Sequence, residues 1–135
     1  MALPRIKIAL EKHLAALTPA LATAVENLKF TPTAGVPYQD VQIVPRAPDN
    51  QTIGDGYYRE TGELQVFLSY PTNQGSSPAQ TRAILTRDWF KRGTTLNQGG
   101  IEVIIMKTPT VTSGSIFNDR YIVGVFIEYS AGVLK

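Results

Sequence analysis

Apolar residues near the start of the chain recur at steps of three and four: Leu3, Ile6, Leu10, Leu14 and Leu17, with Lys7, Glu11 and Lys12 elsewhere around the wheel. That spacing draws one apolar stripe along a helix. Pro19 lacks an amide hydrogen and crowds the preceding turn, so the helix is expected to end near Thr18. Leu21, Val25 and Leu28 continue the stripe, which leaves open a second short helix with Thr18 as N-cap and Pro19 in its first position.

The period then changes. Tyr38–Val44 and Leu64–Tyr70 read as strands; the second sets Leu64, Val66, Leu68 and Tyr70 on one face and Gln65, Phe67 and Ser69 on the other. Phe67 among the polar positions implies that the second face is partly covered. Ser77-Pro78-Ala79-Gln80 supplies an N-cap, a proline at the first helical position and a glutamine placed for a capping box, opening a helix that ends at Gly93. Ala79, Ala83, Leu85, Trp89 and Phe90 share half of its wheel, Arg87, Asp88, Lys91 and Arg92 the other, with Ile84 an exception on the charged side. TTLNQGGIEVIIM predicts a hairpin turning at Asn97-Gln98-Gly99-Gly100. Thr110–Phe117 has an extended pattern broken by Ser-Gly-Ser, and Arg120–Tyr129, apolar on both faces except for Glu128, predicts a central strand. The order of elements gives an α+β fold, a mixed and mostly antiparallel sheet packed against two helices.

The 135 residues are expected to form a single domain, 1–135, interrupted by one long flexible loop at about 45–62, PRAPDNQTIGDGYYRETG. Pro45 and Pro48 disfavour a helix there, and Gly54-Asp55-Gly56 asks for a tight turn. Arg46, Tyr57, Tyr58 and Arg59 are side chains that interfaces favour, and they are the candidate contact residues of an arm that orders against a partner. The alternative is a disordered hairpin loop whose tyrosines fold back on the sheet.

Composition narrows the chemistry. A hydrophobic content of 43% is ordinary for a globular chain, and no apolar run approaches the ~20 residues of a membrane helix. The N-terminus lacks the apolar block of a signal peptide, which leads to the expectation of a protein made in the cytosol. With no cysteine and a single histidine, His13, thiolate chemistry is excluded and zinc, haem and histidine-dependent catalysis are disfavoured. Asp49, Asp55, Glu60 and Glu63 read as carboxylates of a solvated loop rather than an acid pair. A formal net charge of +2, scattered along the chain, is too slight for a nucleic-acid groove. Arg82, Arg87, Lys91 and Arg92 read as a solvated helix face, with Asp88 four residues before Arg92. No cofactor, metal or catalytic residue is expected.

The order of short segments carries a resemblance. Ala24-Val25-Glu26-Asn27, Phe30-Thr31-Pro32, Pro37-Tyr38, the Gly-Asp-Gly loop and a Gly-x-x-Gln-Val strand ending in Tyr-Pro follow one another along the first half. Phe90 before Arg92-Gly93-Thr94, a Gly-Gly hairpin into Ile101-Glu102-Val103, and Asp119-Arg120 leading a strand closed by Glu128-Tyr129 complete the second. This order resembles the small phage tail terminator proteins over nearly the whole chain. The resemblance implies that Ala24 to Asn27 is extended, with Val25 at the sheet edge. It also implies a structural, non-enzymatic tail protein, encoded by a phage or prophage, that assembles as a hexameric ring on the tail tube and stops its growth. The implied partners are further copies of itself, the tube protein and the head–tail connector protein, with no membrane and no nucleic acid except DNA passing through the ring. Such a protein assembles in the host cytoplasm and ends in the virion tail. A head–tail connector, or from another class a small nucleic-acid-binding module built on Tyr57 and Tyr58, are the alternative readings; an enzyme using carboxylates ranks below both.

Overall fold

A computed structural model describes residues 2–25, 30–48, 57–73, 75–117 and 119–134. Helix α1 spans Ala2–Ala15, β1 Ala22–Val25, β2 Tyr38–Pro45, β3 Tyr57–Pro71 and α2 Ser77–Trp89. They are followed by β4 Thr95–Gln98, β5 Ile101–Ile105, β6 Thr110–Val111, β7 Ser115–Phe117 and β8 Arg120–Leu134. The eight strands form one curled, mixed sheet in the order β1-β2-β3-β8-β5-β4, with β6 and β7 also paired to β8. Among the described strands only β1–β2 is parallel. The α+β architecture with two helices is the one the sequence predicts.

Strand β8 is the axis of the sheet. On one side it pairs with β3 without interruption from Tyr57↔Leu134 to Pro71↔Arg120. On the other it takes β5 at Val103↔Ala131, β6 at Thr110↔Phe126 and β7 at Phe117↔Arg120. Alternation then fixes the core: Leu64, Val66 and Leu68 face Ile127, Val125 and Val123 across the ladder, and all six are fully buried. Ile6, Leu10 and Leu14 of α1 and Ala79, Ala83 and Phe90 of α2 close over this face.

Helix α1 ends at Ala15, one turn before Thr18. Pro19 would set its ring against the carbonyl of Ala15, and the residue before a proline avoids helical geometry. Leu17 nonetheless stays buried, in a turn closed by Leu17 N–H donating to Leu14 O at 3.1 Å. The chain beyond is extended, not a second helix: Ala22–Val25 pairs with Tyr38–Val41 at the sheet edge, as the family resemblance implied. Glu26 and Asn27 lie outside the described residues.

Helix α2 has Ser76 rather than Ser77 in the N-cap position, with no capping hydrogen bond from its side chain, and stops at Trp89, not Gly93. The reason lies downstream: the Gly93 amide donates to Ile105 O at 2.9 Å, and Ile105 N–H donates to Thr94 O at 2.9 Å, so β5 draws this segment into the sheet. The buried side of α2 runs through Ala79, Arg82, Ala83, Thr86 and Phe90. Leu85 and Trp89 lie at its margin, each 37% exposed, and Arg82 is inside instead of on a solvated face. Its guanidinium donates to the carbonyl of Pro19, tying α2 to the α1–β1 connection, and burial lowers its pKa.

The β4–β5 hairpin turns where predicted, with Gly99 at φ +57° and Gly100 at φ +83°, both in the region that favours glycine. The expected long loop is shorter than its composition suggests. β2 runs through Pro45, and Tyr57–Gly62 belongs to β3, so the connection itself is confined between them. Residues 49–56, including Gly54-Asp55-Gly56, lie outside the described residues.

Gly62 and Tyr129 face each other in the β3–β8 ladder, and the Tyr129 ring leans across the glycine. A Cβ at position 62 would sit 2.5 Å from the Tyr129 hydroxyl and 2.7 Å from Val44 O. The hydroxyl is buried without a hydrogen-bond partner among the described residues, and burial, aided by Glu60, pushes its pKa up to about 12. Gly62→Ala is therefore expected to cost about 2–4 kcal/mol in denaturant unfolding. Tyr129→Phe, which removes an unsatisfied buried group, should be neutral or stabilising by up to ~1 kcal/mol; a clear loss of stability in Tyr129→Phe contradicts this reading of the pair.

Candidate assembly surface

One face of the sheet packs on the helices; the other is built from the alternate residues of β2, β3 and β8. It has an aromatic part, where Phe67 and Phe126 meet edge-on with ring centres 5.8 Å apart, and a charged part toward the β2–β3 end. In the charged part Gln42 Nε2 donates to Gln65 Oε1 at 2.8 Å, and Gln65 Nε2 donates to Glu63 Oε1 at 2.8 Å. Arg46 Nη2 reaches Glu63 Oε2 at 3.3 Å while its Nη1 reaches Glu128 Oε1 at 2.8 Å. Lys107 Nζ approaches the second Glu128 oxygen at 3.4 Å. Four strand positions, Arg46 just beyond β2 and one loop lysine thus form a continuous chain of polar contacts across three strands, all but the Gln42–Gln65 contact charge-assisted.

The four predicted contact residues fall at this end of the sheet. Arg46 follows β2 directly, and its backbone N–H donates to Thr61 O at 2.9 Å. Its guanidinium is neutralised by two carboxylates of the same chain. Tyr57, Tyr58 and Arg59 open β3 opposite Leu134, Val133 and Gly132. They belong to regular strand, not to an arm; Tyr58 is half-buried, and the side chain of Tyr57 lies outside the described residues. Arg59 Nε donates to Ser130 Oγ at 2.7 Å. Arg46 and Arg59 line one groove with Thr61, Lys107, Glu128 and Ser130.

Glu63 corrects the expectation that the acids here merely solvate a loop: it lies within β3, and its side chain is only 16% exposed. The other members of this network, Gln42, Gln65, Lys107 and Glu128, are not singled out as a site by the sequence, although alternation puts Gln65 on the face away from Leu64 and marks Glu128 as the polar exception in β8. The missing information was register, which sets Glu63 opposite Glu128 and leaves one arginine to serve both. Asp49 and Asp55 lie outside the described residues.

The single histidine is occupied structurally. His13 stacks on Trp89 with centroids 4.7 Å apart and planes 11° apart, and it meets Phe90 edge-on at 4.8 Å. Trp89 Nε1 donates to His13 O at 2.6 Å, and His13 Nε2 lies 2.9 Å from Trp89 O. Each residue thus bonds the other's backbone carbonyl, locking α1 to α2. Among the described residues no group of three or more His, Cys, Asp or Glu side chains is placed to hold a metal ion, and no helix is long and apolar enough to cross a membrane.

A family model described as phage tail terminator protein matches residues 5–129. The chain belongs to the phage tail terminator family. It is thus a structural protein of the phage tail by family. A solved structure with 26% sequence identity superposes on this terminator fold at a TM-score of 0.79, covering 97% of this chain and 96% of the other. No curated protein matches it.

In this family member the Arg46–Glu128 contact has a pH signature. The hydrogen bond from Arg46, reinforced by Lys107, lowers the Glu128 pKa against a smaller opposing effect of burial. A carboxylate whose folded pKa is depressed contributes stability that is present above its unfolded value, ~4.3, and lost as pH falls through the folded value. Glu128→Gln is accordingly expected to be less stable than the parent at neutral pH and to match it once the medium is more acidic than the lowered pKa. Urea unfolding at the two pH values checks this, and a difference that persists in acid contradicts it.

Proposed function

We propose that this protein caps the tail tube as a ring, ending tube polymerisation and presenting the surface to which the head connector attaches. The observation that carries the reading is the family match over residues 5–129. The ring is taken as hexameric, with neighbouring copies, the tube protein and the head–tail connector protein as partners. Assembly would take place in the host cytoplasm and leave the protein in the virion tail.

Physical features support the role. A closed ring of identical subunits needs two different surfaces that fit each other, one on each side of the protomer. Here the strand path ends in β1 at one side and β4 at the other, and neither ATAV nor TLNQ carries the charges or prolines that commonly blunt an edge. The work is binding rather than catalysis: His13 is committed to helix packing, and the acids of the outer face are held by Arg46 and Lys107. Arg46, Tyr57, Tyr58 and Arg59 are the proposed assembly contacts, with Arg46 acting through the carboxylates it fixes.

Two measurements test this. Gold-labelled protein on purified tails should mark one end only, the end that meets the head; label along the tube or none at all contradicts the proposal. The double variant Tyr57→Ser with Tyr58→Ser should fold, as judged by far-UV circular dichroism, yet fail to enter particles. Normal incorporation of that variant removes these residues from the interface.

A further inference from the structure

Beyond β8 the described sheet ends in two edges, β4 and β7, and β7 is the one that lies level with β1. Followed through the pairing, Ala22 stands in line with Tyr38, Ser69, Ile122 and Ser115. Val25, at the other end of β1, stands in line with Val41, Val66, Val125 and Val111. Strand β1 and the β6–β7 segment are therefore opposite margins of one rank. Strand β4 is not in that rank: Thr95 lines up through Ile104 with Ser130, eight residues further along β8 than Ile122. Direction separates the two edges as well, since β1 and β4 both run with β8 and β7 runs against it. Among the described residues β1 pairs only with β2, and β7 only with β8.

We propose that β7 of one copy pairs with β1 of the next, and that this strand addition is the seam that closes the ring. The seam rests on the ring of the proposed function and says where its subunits join. Turning a copy about an axis that runs along the strands sets its β1 beside the neighbouring β7 at the same height and antiparallel, the stronger kind of ladder. Joining through β4 would make a parallel pair and shift each copy by ~26 Å along that axis, a step that builds an open filament rather than a closed ring. Side chains agree with the choice. Ile116 and Phe117 are 72% and 65% exposed, and ATAV offers small residues for them to lie against. Neither strand carries an acid or a base to repel the other.

The chain has no cysteine, so introduced thiols report the seam alone. Full-length Ala24→Cys and Ile116→Cys copies are mixed, in concentrated solution and on tails that lack the protein, and treated with a short bis-maleimide. A covalent dimer is expected from the mixture and from neither variant alone, with a yield about tenfold above that of Ala24→Cys mixed with the β4 variant Asn97→Cys. Ile116→Lys, which sets a charge on an exposed edge position, should keep the parent melting temperature and lower incorporation into tails about tenfold. No dimer from the mixture in either setting overturns the proposal, as does a dimer from Ile116→Cys alone, preferred crosslinking through Asn97→Cys, or parent-like incorporation of Ile116→Lys. Gold label at one tail end without the crosslink would sink the seam and leave the terminator reading standing; the crosslink in solution without end label would do the reverse.

Discussion

The antiparallel ladder between β3 and β8 is the constraint on which the rest of this protein depends. Fifteen residues of each strand pair in one unbroken register, a ribbon of ~50 Å that few domains of this size contain. Because side chains alternate along a strand, this one register settles both faces together. It sets Leu64, Val66 and Leu68 with Ile127, Val125 and Val123 toward the helices, and Glu63 with Glu128 toward the outside. A slip by one residue would bury the acids and expose the core, so the charged network and the apolar core specify the same pairing.

The helices serve this ladder. They cover its apolar face and hold each other through His13 and Trp89. Arg82, buried in α2 and bonded to Pro19 O, extends the link to the segment leading into the edge strand β1. What remains for the surroundings is the outer sheet face and the strand edges. That division, with packing on one side and polar, shape-defining surface on the other, suits a component that works by contact within an assembly. Ile116 and Phe117, 72% and 65% exposed on the short strand β7, add an apolar margin to the same picture.

Much of this was legible in the sequence. Period-two alternation gave the Leu64–Tyr70 part of β3 with the right faces, the doubly apolar run from Arg120 to Tyr129 gave β8 as a central strand, and the glycine pair fixed the β4–β5 turn. The misreadings share a cause, which is that local signals lost to distant ones. Proline and glycine between Pro45 and Gly62 suggest a long loop, but Tyr57–Gly62 is strand because β8 extends far enough to pair with it. Trp89 sits at the margin of α2 because His13 offers it a stacking partner there, and Arg82 is inside because Pro19 supplies a carbonyl. The candidate residues Arg46 and Arg59 were found by type, and they do share a groove; the carboxylates that fix Arg46 depend on cross-strand register, which no local pattern reveals.

The central claim is that a protein of this family, working by contact alone, decides where a tail ends. Electron microscopy of particles from a lysogen induced after deletion of this gene measures that directly through the distribution of tail lengths. Overlong tails without heads are the result this account predicts. Intact particles with tails of normal length would contradict it, and normal-length tails that fail to join heads would move the protein from ending the tube to joining it.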